Sequence, residues 1–119
     1  MKNNLLVISN HDPKNWDREQ KEGWDNIDYI PFPNINPEFS ASEVWEIAKK
    51  LVKEIKIWLN QNTGGKINLQ GEFSLSFAVF VLMSNEASNV FTFPTTERVV
   101  EEKDGKKISV FKFVMWRNM

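Results

Sequence analysis

Apolar and polar positions follow one another in blocks whose period changes along the chain, and each block predicts an element. Leu5-Leu6-Val7-Ile8 is a continuous apolar run ended by Ser9-Asn10-His11-Asp12-Pro13. Such a run reads as a strand buried on both faces. Asp12-Pro13 is a turn or helix-start signal, because proline is tolerated at the first helical position. The polar stretch from Trp16 to Trp24 predicts a short helix with Gly23 near its end. Asp28-Tyr29-Ile30-Pro31-Phe32-Pro33 is rich in β-formers but interrupted by proline, so it predicts a strand that stops early or lies near an edge.

Ser40 and Glu43 make a capping-box pattern. Beyond them Val44, Ile47, Ala48, Leu51, Val52, Ile55, Trp58 and Leu59 repeat at helical spacing, with lysines on the other face. The helix should end near Gln61, before Gly64-Gly65. Ile67 to Gln70 is a short strand candidate. Gly71-Glu72-Phe73-Ser74 then turns into Leu75 to Met83, which is apolar almost all round and predicts a buried helix. Val90 to Phe93 reads as a fourth strand, ended by Pro94-Thr95-Thr96. Asp104-Gly105, set between two β-rich runs, signals a hairpin. Alternation of strands and helices predicts an α/β fold. We expect a Rossmann-like three-layer sandwich with a mostly parallel central sheet and a C-terminal β-hairpin, as an edge or an arm.

Composition narrows the function. A chain of 119 residues is a single domain, residues 1–119. With no cysteine and one histidine, thiolate sites, cysteine nucleophiles and multi-histidine metal cages are excluded, and no metal or cofactor is expected. A net charge of −1 argues against a protein that coats duplex DNA. No apolar stretch approaches the ~20 residues of a membrane helix, and the N-terminal run is too short for a signal peptide. The expectation is a cytoplasmic protein with no membrane partner. Five Trp and nine Phe predict a dense core or a sticky face.

In open α/β sheets, ligands bind beyond the carboxyl ends of the strands. Three polar segments are expected there, and they gather Ser9, Asn10, His11, Glu72, Ser74, Thr95, Thr96 and Arg98 along one rim. The set suits anion or nucleotide binding. A helix N-terminus attracts phosphate, Gly71 lets backbone approach a ligand closely, and Arg98 can clamp a phosphate. Each residue also has a plainer reading. Ser and Asn after a strand are common turn residues, Glu72 can cap its helix, and Arg98 can pair with Glu101 or Glu102. No phosphate-binding loop, dinucleotide fingerprint or nucleophile elbow is present.

The segments Ser9-Asn10-His11, Trp16, Ile30-Pro31-Phe32-Pro33, Gln70 to Ala78, Thr95-Thr96-Glu97-Arg98-Val99-Val100 and Val110 to Val114 together resemble a small family of stand-alone CRISPR-associated Rossmann-fold (CARF-like) proteins. The likeness spans nearly the whole chain. Two departures stand out: Asp12 where His-Pro is common, and one arginine, Arg117, where relatives often carry two near the C-terminus.

The resemblance implies a type III CRISPR antiviral function: binding of a cyclic oligoadenylate, most simply cyclic tetra-adenylate, across a homodimer cleft. The rim Ser9, Asn10, Gly71, Glu72, Phe73, Ser74, Thr95 and Thr96 would hold the ligand. It also implies that the protein is an enzyme or a sponge. As a metal-independent ring nuclease it would let a ribose 2′-hydroxyl attack the scissile phosphate. His11 is the candidate general base or acid, since histidine is the side chain that exchanges protons near neutrality. Arg98 is the candidate for stabilising phosphoryl charge. The alternatives are a non-catalytic sponge or sensor, and an α/β interaction module with no nucleotide ligand. The aromatic surplus and the hairpin are the expected dimer seam.

Overall fold

The computed structural model describes residues 2–86 and 89–119; Met1, which opens the N-terminal segment, and Ala87 and Ser88 lie outside them. The apolar run near the N-terminus forms β1 (Asn4–Ser9), the middle strand of a parallel sheet. It is flanked by β2 (Asn26–Pro31) and β3 (Lys66–Gln70), in the order β2-β1-β3. A central strand needs apolar side chains on both faces, and Leu5 through Ile8 are all buried. The edge position of β2 fits Pro31 at its end, which removes a ladder donor.

Register decides which side chain meets which face. Leu6 lies beside Ile67, and Ile8 beside Leu69 and Ile30. These residues belong to the core formed with α2 (Ala41–Gln61) and α3 (Phe73–Leu82). The capping box opens α2 as its sequence requires: Glu43 N–H donates to Ser40 Oγ at 3.2 Å and Ser40 N–H to Glu43 Oε1 at 3.4 Å. Trp58 Nε1 on α2 donates to Asp28 on β2 at 2.8 Å, tying the helix to the edge strand. The polar stretch after β1 becomes a single 3-10 turn (Pro13–Asn15) capped by Asp12, and the short helix α1 (Arg18–Lys21).

Two expectations change. Leu75, Ala78 and Val79 of α3 are buried, but Phe73, Phe77 and Val81 on the same helix are exposed. The helix is thus apolar on a face that meets water, and is not buried all round. Nor is Val90–Phe93 a separate strand. Phe91 makes a lone parallel bridge to Ile67, and the chain runs on through Pro94 into β4 (Thr92–Lys103), which pairs with β5 (Lys106–Asn118). Each strand of a two-stranded ribbon has an open edge, so a proline there need not break the ladder.

The ribbon projects from the body. The radius of gyration is 16.2 Å, against ~13.5 Å for a compact chain of this length. A two-stranded ribbon is marginal alone, and this one is anchored at its base. Trp116 packs against Trp16 and Trp24, each at 5.5 Å between ring centroids, and its Nε1 donates to Gln20 O at 3.0 Å.

Candidate functional site at the carboxyl ends of the central strands

From β1 the chain crosses to β2 on one side, then α2 carries it back to β3 on the other. Strand order therefore reverses between β1 and β3, the position where α/β sheets open toward a ligand. The segments leaving it are Ser9-Asn10-His11 and Gln70-Gly71-Glu72, with Ser9 and Gln70 as register partners. β2 supplies the support. Phe32 N–H and Tyr29 Oη both donate to Ser9 O at 3.0 Å. The buried Phe32 ring lies against Gly71 so closely that a Cβ there would fall 2.3 Å from it. Gly71 thus makes room for Phe32. Neither Tyr29 nor Phe32 was among the expected site residues. The one signal for Tyr29 is its alternation with Asp28 and Ile30, which puts it on the opposite face from them.

At the end of β1, Ser9 is buried and its hydroxyl accepts from His11 N–H at 3.0 Å. That bond holds the turn. Asn10 and His11 are exposed, so their amide and imidazole are the groups that the switch point offers to solvent.

At the start of α3, Glu72 is the cap. Its carboxylate accepts from Ser74 N–H at 3.0 Å and Leu75 N–H at 2.9 Å, and from the Ser74 hydroxyl. The Ser74 hydroxyl, then the Leu75 amide, hold the Glu72 carboxyl below the ordinary glutamate range. The helix terminus considered for phosphate therefore already carries the chain's own anion. Phe73, the first helical residue, is 91% exposed. Ser74 also borders a groove of about 320 Å³ between the two long helices.

The third expected segment sits on the ribbon. Val114 is the extra residue of a bulge opposite Thr95 and Thr96. The Thr95 hydroxyl spans that bulge, accepting from Met115 N–H at 3.2 Å and donating to Met115 O at 3.1 Å. Thr96 is paired with Phe113 and exposed. Arg98 donates through Nε and Nη2 to Ser109 Oγ at 3.0 and 2.8 Å. Glu101 pairs instead with Lys112. The structure thus brings Ser9, Asn10 and His11 beside Gly71 and Glu72, with Phe73 and Ser74 opening the adjoining helix. It carries Thr96 and Arg98 outward along β4.

Among the described residues, no helix is long and apolar enough to cross a membrane. Among curated proteins and among solved structures, nothing matches the chain significantly. The model of the uncharacterized protein MJ1673 family matches residues 3–117, and the chain belongs to that family.

Proposed function

We propose that the chain is a Rossmann-like three-layer domain that binds a cyclic oligoadenylate in a cleft shared by two copies. The setting would be cytoplasmic CRISPR antiviral signalling, as the resemblance of its motifs implies. The observation that carries the reading is the reversal of strand order between β1 and β3, with exposed Asn10 and His11 at its mouth. An amide and an imidazole suit base edges and phosphate oxygens. Glu72, already ionised and committed to its helix, can accept from a ribose hydroxyl at a carboxylate edge but repels phosphate. Phosphate binding then falls to backbone N–H groups of the turn after β1, because Arg98 stands out on the ribbon with its guanidinium on Ser109.

A second reading adds ring opening, and the exposed imidazole at the switch point favours it. The 2′-oxygen bonds to phosphorus, the bond to the 5′-oxygen breaks, and a cyclic 2′,3′-phosphate forms. The proton lost from the 2′-hydroxyl is matched by one gained at the 5′-oxygen, so no metal or redox partner is needed. His11 would move that proton, and backbone N–H groups of the turn after β1 would stabilise the phosphoryl charge.

The test mixes purified protein with cyclic tetra-adenylate, follows the melt, and separates nucleotides by chromatography over time. Ligand at 100 times Kd stabilises by ~2.7 kcal/mol, which a melt resolves. A melt shift without products supports the binder, and a shift with linear products supports the nuclease. Asn10→Ala should weaken binding by ~0.5–1.5 kcal/mol, and Arg98→Ala, out on the ribbon, should leave it unchanged. His11→Ala should abolish cleavage while the ring still shifts the melt, by less than with the wild type. No shift with either the tetra- or the hexa-adenylate ring sinks the nucleotide reading and leaves an interaction module.

A further inference from the structure

The apolar stripe on the outside of α3 has no cover among the described residues. Phe73, Phe77 and Val81 are spaced i, i+4, i+8 and are 91%, 63% and 44% exposed. The same helix buries Leu75, Ala78 and Val79 inward, so its outward residues are surplus to the core. Beside the stripe lies the groove between the helices, lined by Phe39, Val44, Trp45, Phe77 and Ala78, with the Trp45 ring set edge-on to Phe77. From the usual contact area of an aromatic side chain, Phe73 and Phe77 together expose on the order of 300 Å². That alone equals the largest apolar patch of many monomers.

We propose that this face is the seam of a homodimer, with α3 packed against α3 of a second copy. Three features select the occupant. First, Phe73–Leu82 contains no charged residue, so the surface gives a charged partner nothing to recognise, while an identical neutral surface complements it. Second, an i, i+4, i+8 row is a ridge that interdigitates with its own copy at the commonest helix-crossing angle. A two-fold axis beside Phe77 pairs the ridges and sets each Trp45 groove beside the partner's stripe, as isologous contacts require. Third, two copies of stripe and groove bury on the order of 1,000 Å² together, which reaches the threshold of a stable interface.

The orientation rests on the nucleotide reading above; the seam does not. Both carboxyl edges open at one end of the dimer only when the two α3 helices run parallel. Phe73 then meets its symmetry mate at the floor of the shared cleft, and Glu72 and Asn10 of each copy flank it.

The experiment measures mass in solution without nucleotide, by light scattering on the full chain at tens of micromolar. The expected mass is twice the 13.9 kDa monomer. Phe77→Glu should return it to the monomer with an unchanged circular dichroism spectrum. Phe73→Asp, at the more exposed position, should do the same and guards against a folding defect at Phe77. Phe111→Glu, on the ribbon that the sequence offered as the seam and that α3 replaces in that role, should leave the dimer intact. A monomeric wild type, a dimer that survives both α3 substitutions, or dissociation by Phe111→Glu alone would each overturn the proposal.

Orientation is read separately, because the chain has no cysteine of its own. Phe73→Cys should form an intermolecular disulfide under mild oxidation, since only parallel helices bring that position within bridging distance of its mate. Cross-linking through Phe77→Cys but not Phe73→Cys would overturn the parallel arrangement. A dimer that binds no nucleotide would sink the function proposed above and leave the seam standing.

Discussion

Gly71 offers the sharpest test of how the switch point is built, because two roles for it predict opposite results. As a ligand-approach glycine it would tolerate a methyl group in the free protein. The structure instead places the Phe32 ring where that methyl would go, 2.3 Å from the ring carbons. Phe32 is buried, so the ring cannot simply swing into water. Overpacking of this kind costs ~1–3 kcal/mol. The backbone of Gly71 is not in the left-handed region. Replacing it therefore also removes freedom from the unfolded chain, which returns ~0.4–1 kcal/mol. Gly71→Ala should then destabilise by about 0.5–2 kcal/mol, a fall in Tm of roughly 2–8 °C for a domain of this size.

A double-mutant cycle in urea isolates the contact. Phe32→Ala alone should cost ~3–5 kcal/mol, as deletion of a buried ring does. In that background the clash is gone and only the unfolded-state term remains. Gly71→Ala should then stabilise by ~0.4–1 kcal/mol. The sign reversal between backgrounds is the signature, with a coupling of ~1–3 kcal/mol between the positions. Gly71→Ala that leaves the wild type as stable as before, or costs the same with and without the Phe32 ring, refutes the reasoning. If it also weakened nucleotide binding, the ligand-approach role would return.

Three further outcomes are expected. Glu72→Ala should cost ~1 kcal/mol at neutral pH, in the range of a lost N-cap, checked by urea melts. The Glu72 carboxyl is depressed in the fold. Its contribution is therefore present above the unfolded-state pKa of ~4.3 and lost as pH falls through the folded value, so the variant should lose less stability than wild type on acidification below about pH 4.3. Thr95→Val removes both hydroxyl bonds across the bulge and should speed amide exchange at Met115 several-fold; unchanged protection there would mean that the bulge does not need the hydroxyl. Trp116→Ala deletes the ring that ties the ribbon to Trp16, Trp24 and Gln20. It should cost ~3 kcal/mol by the scale of large aromatic deletions, with proteolytic cleavage within the ribbon appearing before cleavage of α2.

The elements whose periodicity matches their burial were legible in the chain. β1 is apolar on both faces because it is central, and α2 shows one apolar stripe because one face packs. Its start could be read to the residue, since Ser40 and Glu43 satisfy orphan donors by local chemistry alone. What failed was long-range. Pro94 is a strand breaker only where its missing N–H would have bonded, and whether a strand has an open edge depends on its neighbours. Thr95, Thr96 and Arg98 consequently moved from an expected turn to the ribbon. Phe32 over Gly71 was equally invisible, because a glycine after a strand looks the same whether a ligand or a ring occupies the space beside it.

The polar residues at the switch point show the same degeneracy in another form. A turn and a ligand ask for identical groups, so Ser9, Glu72 and Thr95 qualify for either by type. The structure separates them by what each atom already bonds. Ser9 holds its turn, Glu72 its helix and Thr95, away on the ribbon, its bulge, whereas Asn10 and His11 remain exposed next to Ser9. The same logic runs in reverse for apolar groups. A core residue has satisfied its preference by burial, and Phe73, Phe77 and Val81 have not. Asn10 and His11 emerge at the carboxyl end of β1 and Phe73 near that of β3, next to one another in the sheet. Uncommitted polar groups and uncovered apolar groups therefore meet at one edge of the fold, as they must if a second copy completes a polar cleft by covering the apolar surface beneath it.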